Sequence, residues 1–174
     1  MIGGFSEYVA LSESKALHVP EGVTFAQAAI ATDAVATAYH AVVVDRQISA
    51  SSKIAIIGLG GLGLSAVRSR LDLGQKYMAS NATTESTCDL QVGAYACAKS
   101  IGGFPGVRFN VVVDFAGAGS TTVAATKAVK AGGKVVLVGL SLKEAQLNTY
   151  EYFAMGITLK GAAGSSMEEA EKCL

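Results

Sequence analysis

From residue 53 onward the chain alternates short β-branched runs with segments of helical character. The runs KIAII (53–57), KYMAS (76–80), YACAK (95–99), NVVVDF (110–115), KVVLVG (134–139) and ITLKG (157–161) are candidate strands. Near-continuous apolar runs suit strands covered on both faces, and strands separated by helical segments pair in parallel. The pattern predicts an α/β fold with one doubly wound, six-stranded parallel sheet. A helix is expected over 61–73, stopping at Gly74, and another over 121–130, stopping at Gly132 and Gly133, because glycine takes the left-handed C-terminal cap cheaply. TTESTCDLQ, within 83–93, has little apolar periodicity, so its helix is expected to be short or frayed.

Residues 1–45 follow a different pattern: a strand-like FSEYVAL (5–11), a turn at HVPEG (18–22), then two helical pieces. Thr24 and Gln27 have capping-box spacing at the start of the first piece, and Asp33 is placed to cap the second. The stretch 23–44 is apolar enough to raise the question of a membrane span, but Gln27, Asp33 and His40 interrupt it. An Asp near the bilayer centre costs about 3 kcal/mol on insertion scales. Two short buried helices around a polar site account for the same composition without that penalty.

With 174 residues, 51% of them hydrophobic, the chain can bury one compact domain and part of a second. Lys plus Arg and Asp plus Glu both number 14, so no net positive charge favours nucleic acid or an anionic membrane as partner. Cys88, Cys97 and Cys173 are odd in number, form no CxxC pair and have no histidines beside them. That pattern argues against a disulfide framework or a zinc knuckle and points to a reducing, cytoplasmic compartment. MIGGFSEYV carries no basic-then-apolar secretory pattern, and Ile2 after Met1 excludes myristoylation.

The chemistry-bearing feature is the turn Gly58, Leu59, Gly60, Gly61, Leu62, Gly63, a GxGxxG directly after an apolar strand and directly before a helix. In that context the first glycine permits the tight turn and the second lets backbone approach a pyrophosphate. The third lets helix and strand pack closely, and the helix amides face the phosphates. The same glycines could merely accommodate a tight turn, and a methyltransferase can use a similar one; six strands favour a complete Rossmann dinucleotide fold. An acidic residue is expected about 20 residues past the turn to bind the adenosine ribose. Ala79, Ser80, Asn81 and Ala82 stand there instead, so the choice between NAD and NADP stays open. Ser80 and Asn81 are either ribose partners or ordinary loop residues.

GGFSEYV (3–9), VPEGVTFAQAA (19–29), TDAVATAYHAV (32–42), GLGGLGLSAV (58–67) and GGKVVLVGL (132–140) together resemble the medium-chain dehydrogenase/reductase superfamily, close to its zinc-type alcohol dehydrogenases. The resemblance covers essentially the whole chain. It implies an NAD(P)-binding oxidoreductase that moves a hydride between an alcohol and an aldehyde or ketone. It also implies three parts: residues 1–45 as a partial piece of the GroES-like catalytic domain, 46–164 as the NAD(P)-binding Rossmann domain, and 165–174 as the start of a C-terminal helix. Asp33 falls on the third zinc-ligand position, where the metal would polarise the alcohol oxygen. A helix cap remains the alternative for Asp33. Thr37 resembles the residue beside the nicotinamide. Phe115, Ala116 and Gly117, with Val138, Gly139 and Leu140, resemble the two strand-end segments that cradle it, although small residues at such turns also serve architecture alone. His40 is read as a half-buried histidine rather than a ligand. Tyr95 and Lys99 form a YxxxK pair, discounted because residues four apart on a strand do not converge as they do on a helix.

The family's first zinc-ligand Cys and its His-Glu motif are absent from this sequence, and one carboxylate cannot hold a zinc that needs three protein ligands. Two expectations follow: part of an alcohol dehydrogenase whose parent is active, or a free-standing dinucleotide-binding pseudoenzyme. Asp33 argues against a third, a zinc-free quinone reductase-like member. Residues 1–45 are expected to expose apolar surface, and ITLKG is the candidate edge for a homodimer.

Overall fold

A computed structural model describes residues 4–44, 52–72, 77–80, 96–98, 106–141 and 144–174. Six strands form one parallel sheet: β1 (Ile54–Ile57), β2 (Tyr77–Ser80), β3 (Ala96–Ala98), β4 (Phe109–Asp114), β5 (Val129–Leu137) and β6 (Thr158–Gly161). Their spatial order is β3-β2-β1-β4-β5-β6, the doubly wound arrangement expected from the alternating pattern. The winding reverses between β1 and β4, which pair Ile57 with Asp114, so the carboxyl ends of these two strands flank a crevice.

Alternate residues along the central strands build two cores. On one face Ile54, Ile56, Val111, Val113 and Val136 pack with Ala66 and Val67 of α3 (Gly61–Asp72) and with Ala38, Ala41 and Val42. On the other, Ala55, Ile57, Val112 and Val135 pack with Ala125 of α4 (Ser120–Ala128). Tyr152 and Met155 of α5 (Thr149–Met155) close that side. All four β1 residues are buried, which is why the sequence there reads as an unbroken apolar run.

The N-terminal half of the first layer departs from expectation. Thr24 does cap the first piece: its hydroxyl accepts from the Gln27 amide at 3.3 Å, and Gln27 accepts from the Thr24 amide at 2.9 Å. The second piece has no cap. α1 (Phe25–Ile30), a wider π segment (Ala31–Val35), α2 (Ala36–Tyr39) and a second π segment (His40–Val44) form one continuous helical rod. An N-cap requires extended backbone, whereas Ile30 and Val35 are both right-handed helical, so Asp33 caps nothing. Thr32 donates back to the Ala28 carbonyl at 3.1 Å, at the point where the rod widens. FSEYVAL is exposed and pairs with no described strand; without a neighbour its amides gain nothing from extended structure. The expected apolar exposure is present at Phe5, Tyr8, Phe25 and Ile30.

Two further boundaries shift. α4 ends at Ala128, two residues before the predicted Lys130, and β5 begins at once with Val129, which is fully buried and pairs with Phe109. The register then slips before Val111 pairs with Lys134, so the Gly132-Gly133 turn predicted to end the helix lies inside an irregular strand. α5 has no counterpart among the elements that the hydrophobic pattern predicts; the Asn148 side chain caps it by accepting from the Tyr150 amide at 3.1 Å. Gly74, segment 83–93, Tyr95 and Lys99 lie outside the described residues. No helix among the described residues is long and apolar enough to cross a membrane.

The chain's last helix, α6 (Met167–Lys172), packs on the rod. Ser166 and Glu169 form a capping box, and both Glu169 oxygens lie 3.0 and 3.1 Å from His40 Nδ1. Because an ionised carboxylate only accepts, Nδ1 carries the proton. Burial pushes the Glu169 carboxyl up, but the bonds from His40 and the Ser166 amide, with the attraction of the imidazole, outweigh it and hold the carboxyl below its ordinary value. A carboxyl depressed on folding stabilises above its unfolded value, about pH 4.3 for glutamate, and loses that contribution as pH falls through the folded value. The protection factors of the Ala170 and Glu171 amides, taken relative to intrinsic exchange at each pH, are therefore expected to fall as pH is lowered through that window. Glu169→Gln should cost about 1 kcal/mol at neutral pH and abolish this acid dependence; an unchanged pH profile in the variant would refute the pairing.

Candidate functional site

The glycine turn sits where the winding reverses. Gly58 closes β1 with φ +87, and a Cβ there would lie 2.8 Å from the Ala116 amide nitrogen, in backbone that cannot yield. A Cβ on Gly63, in the first turn of α3, would press into the Gly58 carbonyl oxygen, so only hydrogen lets the helix approach the strand this closely. Gly60 and Gly61 behave oppositely: an added Cβ would meet nothing within 4 Å. Two glycines are thus required by the protein's own packing, and two face open space beside the first amides of a helix, which have no intrahelical acceptor. That combination fits a pyrophosphate.

The space is a cleft of about 250 Å³ walled by residues 58 to 63 on one side and by Phe115, Ala116 and Ser141 on the other. Asp114, fully buried at the end of β4, shapes the second wall. Its Oδ1 accepts from the Ala116 and Gly117 amides, each at 3.0 Å. Its Oδ2 accepts from the Thr121 and Thr122 hydroxyls at 2.8 and 2.9 Å. The Asp114 carbonyl in turn accepts from the Val138 and Gly139 amides at 3.0 Å. Gly139 and Gly117 touch backbone to backbone, leaving no room for a Cβ on either. Ser141 Oγ donates to the Ala116 carbonyl and ties the β5 end across to the β4 end.

Of the residues expected at the site, Gly58, Gly60, Gly61, Leu62 and Gly63 together with Phe115 and Ala116 converge on the cleft, joined there by Leu59. Gly117, Val138 and Gly139 stand directly behind it through Asp114. Leu140 follows them but is 89% exposed and does not line it. Ser80 is paired in register with Ile57, next to the glycine turn, and Asn81 lies outside the described residues. Asp33 and Thr37 are on the rod, four residues apart, and line no part of the cleft. Thr37 is 7% exposed, and its hydroxyl makes no hydrogen bond with another described residue. Asp33 is exposed, and no three His, Cys, Asp or Glu residues come together among the described residues, so these residues do not by themselves form a zinc site.

Two contributors escaped the sequence reading. Asp114 had a signal, since a carboxylate ending the run FNVVVD must be paired if the strand is buried. Ser141 had none.

Gly63→Ala should cost about 2–3 kcal/mol in a urea melt, because strand and helix must separate. Gly60→Ala should stay within about 0.5 kcal/mol of the parent; equal costs at both positions would contradict the division described above. Asp114→Ala leaves four donors without their acceptor and should cost about 3 kcal/mol or more. Asp114→Asn should cost about half as much, because the threonine hydroxyls can turn to accept from its amide.

Residues 63–174 match the family described as zinc-binding dehydrogenase. A Mycobacterium tuberculosis protein named "Probable zinc-binding alcohol dehydrogenase" is 32% identical over 146 residues, covering 76% of this chain and 36% of that protein. Acetophenone reductase from Geotrichum candidum, solved in complex with NAD, is 32% identical with a TM-score of 0.80 over 90% of this chain and 46% of its own. The alcohol dehydrogenase of Aeropyrum pernix, at 23% identity, shares the fold with a TM-score of 0.81 over 98% of this chain and 54% of its own. The chain spans 25% and 36% of the first two curated relatives. With the glycine turn at the winding reversal and this match over most of the length, the chain belongs to the zinc-binding dehydrogenase family, as a zinc-type member of the medium-chain dehydrogenase/reductase superfamily.

Proposed function

We propose that this chain binds NAD or NADP in the cleft between the β1 and β4 ends and supplies the cofactor half of an alcohol dehydrogenase-like oxidoreductase. The observation that carries this reading is the contrast within the glycine turn, where packing demands Gly58 and Gly63 while Gly60 and Gly61 open onto the cleft. In this reading residues 46–164 are the nucleotide-binding domain, 1–45 a piece of the catalytic domain, and 165–174 the start of the helix that returns to it. When bound, the nicotinamide takes a hydride from an alcohol carbon or gives one to an aldehyde or ketone carbon.

The chain's own residues bind and orient. Gly60, Gly61 and Leu62 present backbone to the pyrophosphate, and Ser80 with Asn81 serves the adenosine ribose. Phe115, Ala116 and Gly117, with Val138, Gly139 and Leu140, form the floor for the nicotinamide half, and Thr37 supplies a buried hydroxyl that bonds no other described residue. Asp33 is assigned as one ligand of a zinc whose companions are not among the described residues. The substrate class is a small alcohol or carbonyl compound. The edge strand β6, all four of whose residues are exposed, Leu159 among them, is assigned to pairing with a second copy. Three cysteines in no pairing pattern suit a cytoplasmic setting.

The test is fluorescence titration of the purified chain with NADH and NADPH, with metal analysis and sedimentation of the same sample. Saturable binding, zinc well below one per chain and a dimer are expected, with binding weakened at least tenfold in Gly60→Ala while its urea midpoint holds. A folded chain that binds neither nucleotide sinks the cofactor reading; stoichiometric zinc would sink the incomplete metal site, and a monomer at high concentration the β6 pairing.

A further inference from the structure

Among the described residues that line the cleft, Ser141 is the one that carries a side-chain oxygen. Its Oγ donates to the Ala116 carbonyl oxygen. A carbonyl carries no proton, so the single hydroxyl proton of Ser141 is committed to that bond, and what its oxygen has left to offer a ligand in the cleft it lines is lone pairs. Ser141 therefore offers an acceptor. The opposite wall offers donors, the first amides of α3. A ligand that complements both carries an anionic group against the glycine turn and, a few ångströms away, a hydrogen-bond donor.

Resting on the nucleotide reading above, we infer that Ser141 is a positioning and binding residue for the ribose on the nicotinamide side of the pyrophosphate, accepting a hydrogen bond from one of its hydroxyls. Size favours the ribose over the carboxamide, since a cleft of about 250 Å³ holds a pyrophosphate and the sugar joined to it rather than a whole dinucleotide. Position favours this ribose over the adenosine one. Ser80 ends β2 on one flank of the glycine turn, while Ser141 follows β5 on the other, so the two serines bracket the pyrophosphate from opposite sides. The bond to Ala116 also fixes which way the Ser141 oxygen points, so the acceptor is in place before a ligand arrives.

The experiment compares unsubstituted chain, Ser141→Ala and Ser141→Thr in binding NADH, ADP-ribose and ADP, the last two by competition against NADH. ADP-ribose carries both sugars and ADP only the adenosine one. Ser141→Ala should weaken NADH and ADP-ribose by about three- to tenfold and leave ADP unchanged, and Ser141→Thr, which keeps the hydroxyl, should restore both. An equal loss for ADP would reduce Ser141 to a brace for Ala116 and overturn the assignment. A loss for NADH without one for ADP-ribose would move the contact to the carboxamide and overturn the ribose. Unchanged affinity for all three overturns any binding role, whereas failure of the unsubstituted chain to bind NADH or NADPH overturns the nucleotide reading itself and the Ser141 assignment with it.

Discussion

Asp114 puts a carboxylate where no solvent reaches it, and the arrangement of the cleft follows from how that group is satisfied. Each oxygen takes two donors, and the four come from two successive segments: two amides of the turn after β4 and two hydroxyls of the first turn of α4. Leaving any one of them unpaired in the interior would cost about 1–3 kcal/mol, so the four constrain one another. The backbone carbonyl of the same residue holds the end of β5. One side chain and its own peptide unit thereby bring three elements to a common point, and the wall formed by Phe115 and Ala116 inherits its position from them.

The same logic extends outward through α4. Thr122, held by Asp114, gives its carbonyl to the Thr126 hydroxyl at 3.1 Å, and Thr126 meets the Tyr152 hydroxyl of α5 at 2.8 Å. A polar line thus runs from the cleft wall through one helix to the next, inside an otherwise apolar layer built on Ala125, Val129 and Val135. Burial supplies the bulk of cohesion on both faces of the sheet; the polar line determines which helix residues face inward.

Legibility in the sequence tracks the range of the forces involved. The strands IAII and NVVVD could be read because burial on both faces leaves an unbroken apolar run, and the glycine turn because its spacing reports local backbone geometry. The Thr24 capping box was equally local. What failed depended on partners distant in sequence. FSEYVAL looked like a strand, yet strands exist only with neighbours; Lys130 looked helical, yet Val129 gains more by pairing with Phe109. Asp33 had the right residue type for a cap, but an alanine-rich rod ran through it. Ser141 reaches Ala116 across 25 residues of chain, and no residue pattern announces such a contact.

The contact between His40 and Glu169 spans 129 residues. In a polypeptide made from the amino end, the rod that carries Asp33 and Thr37 leaves the ribosome early, whereas the helix that clamps it comes after the whole sheet. Ordering of the rod is consequently a late event in biogenesis. Until α6 emerges, the apolar inner face of the rod has only α3 and the nascent sheet to lie against, and the entropic cost of closing so long a loop falls once that sheet has already brought the two ends near.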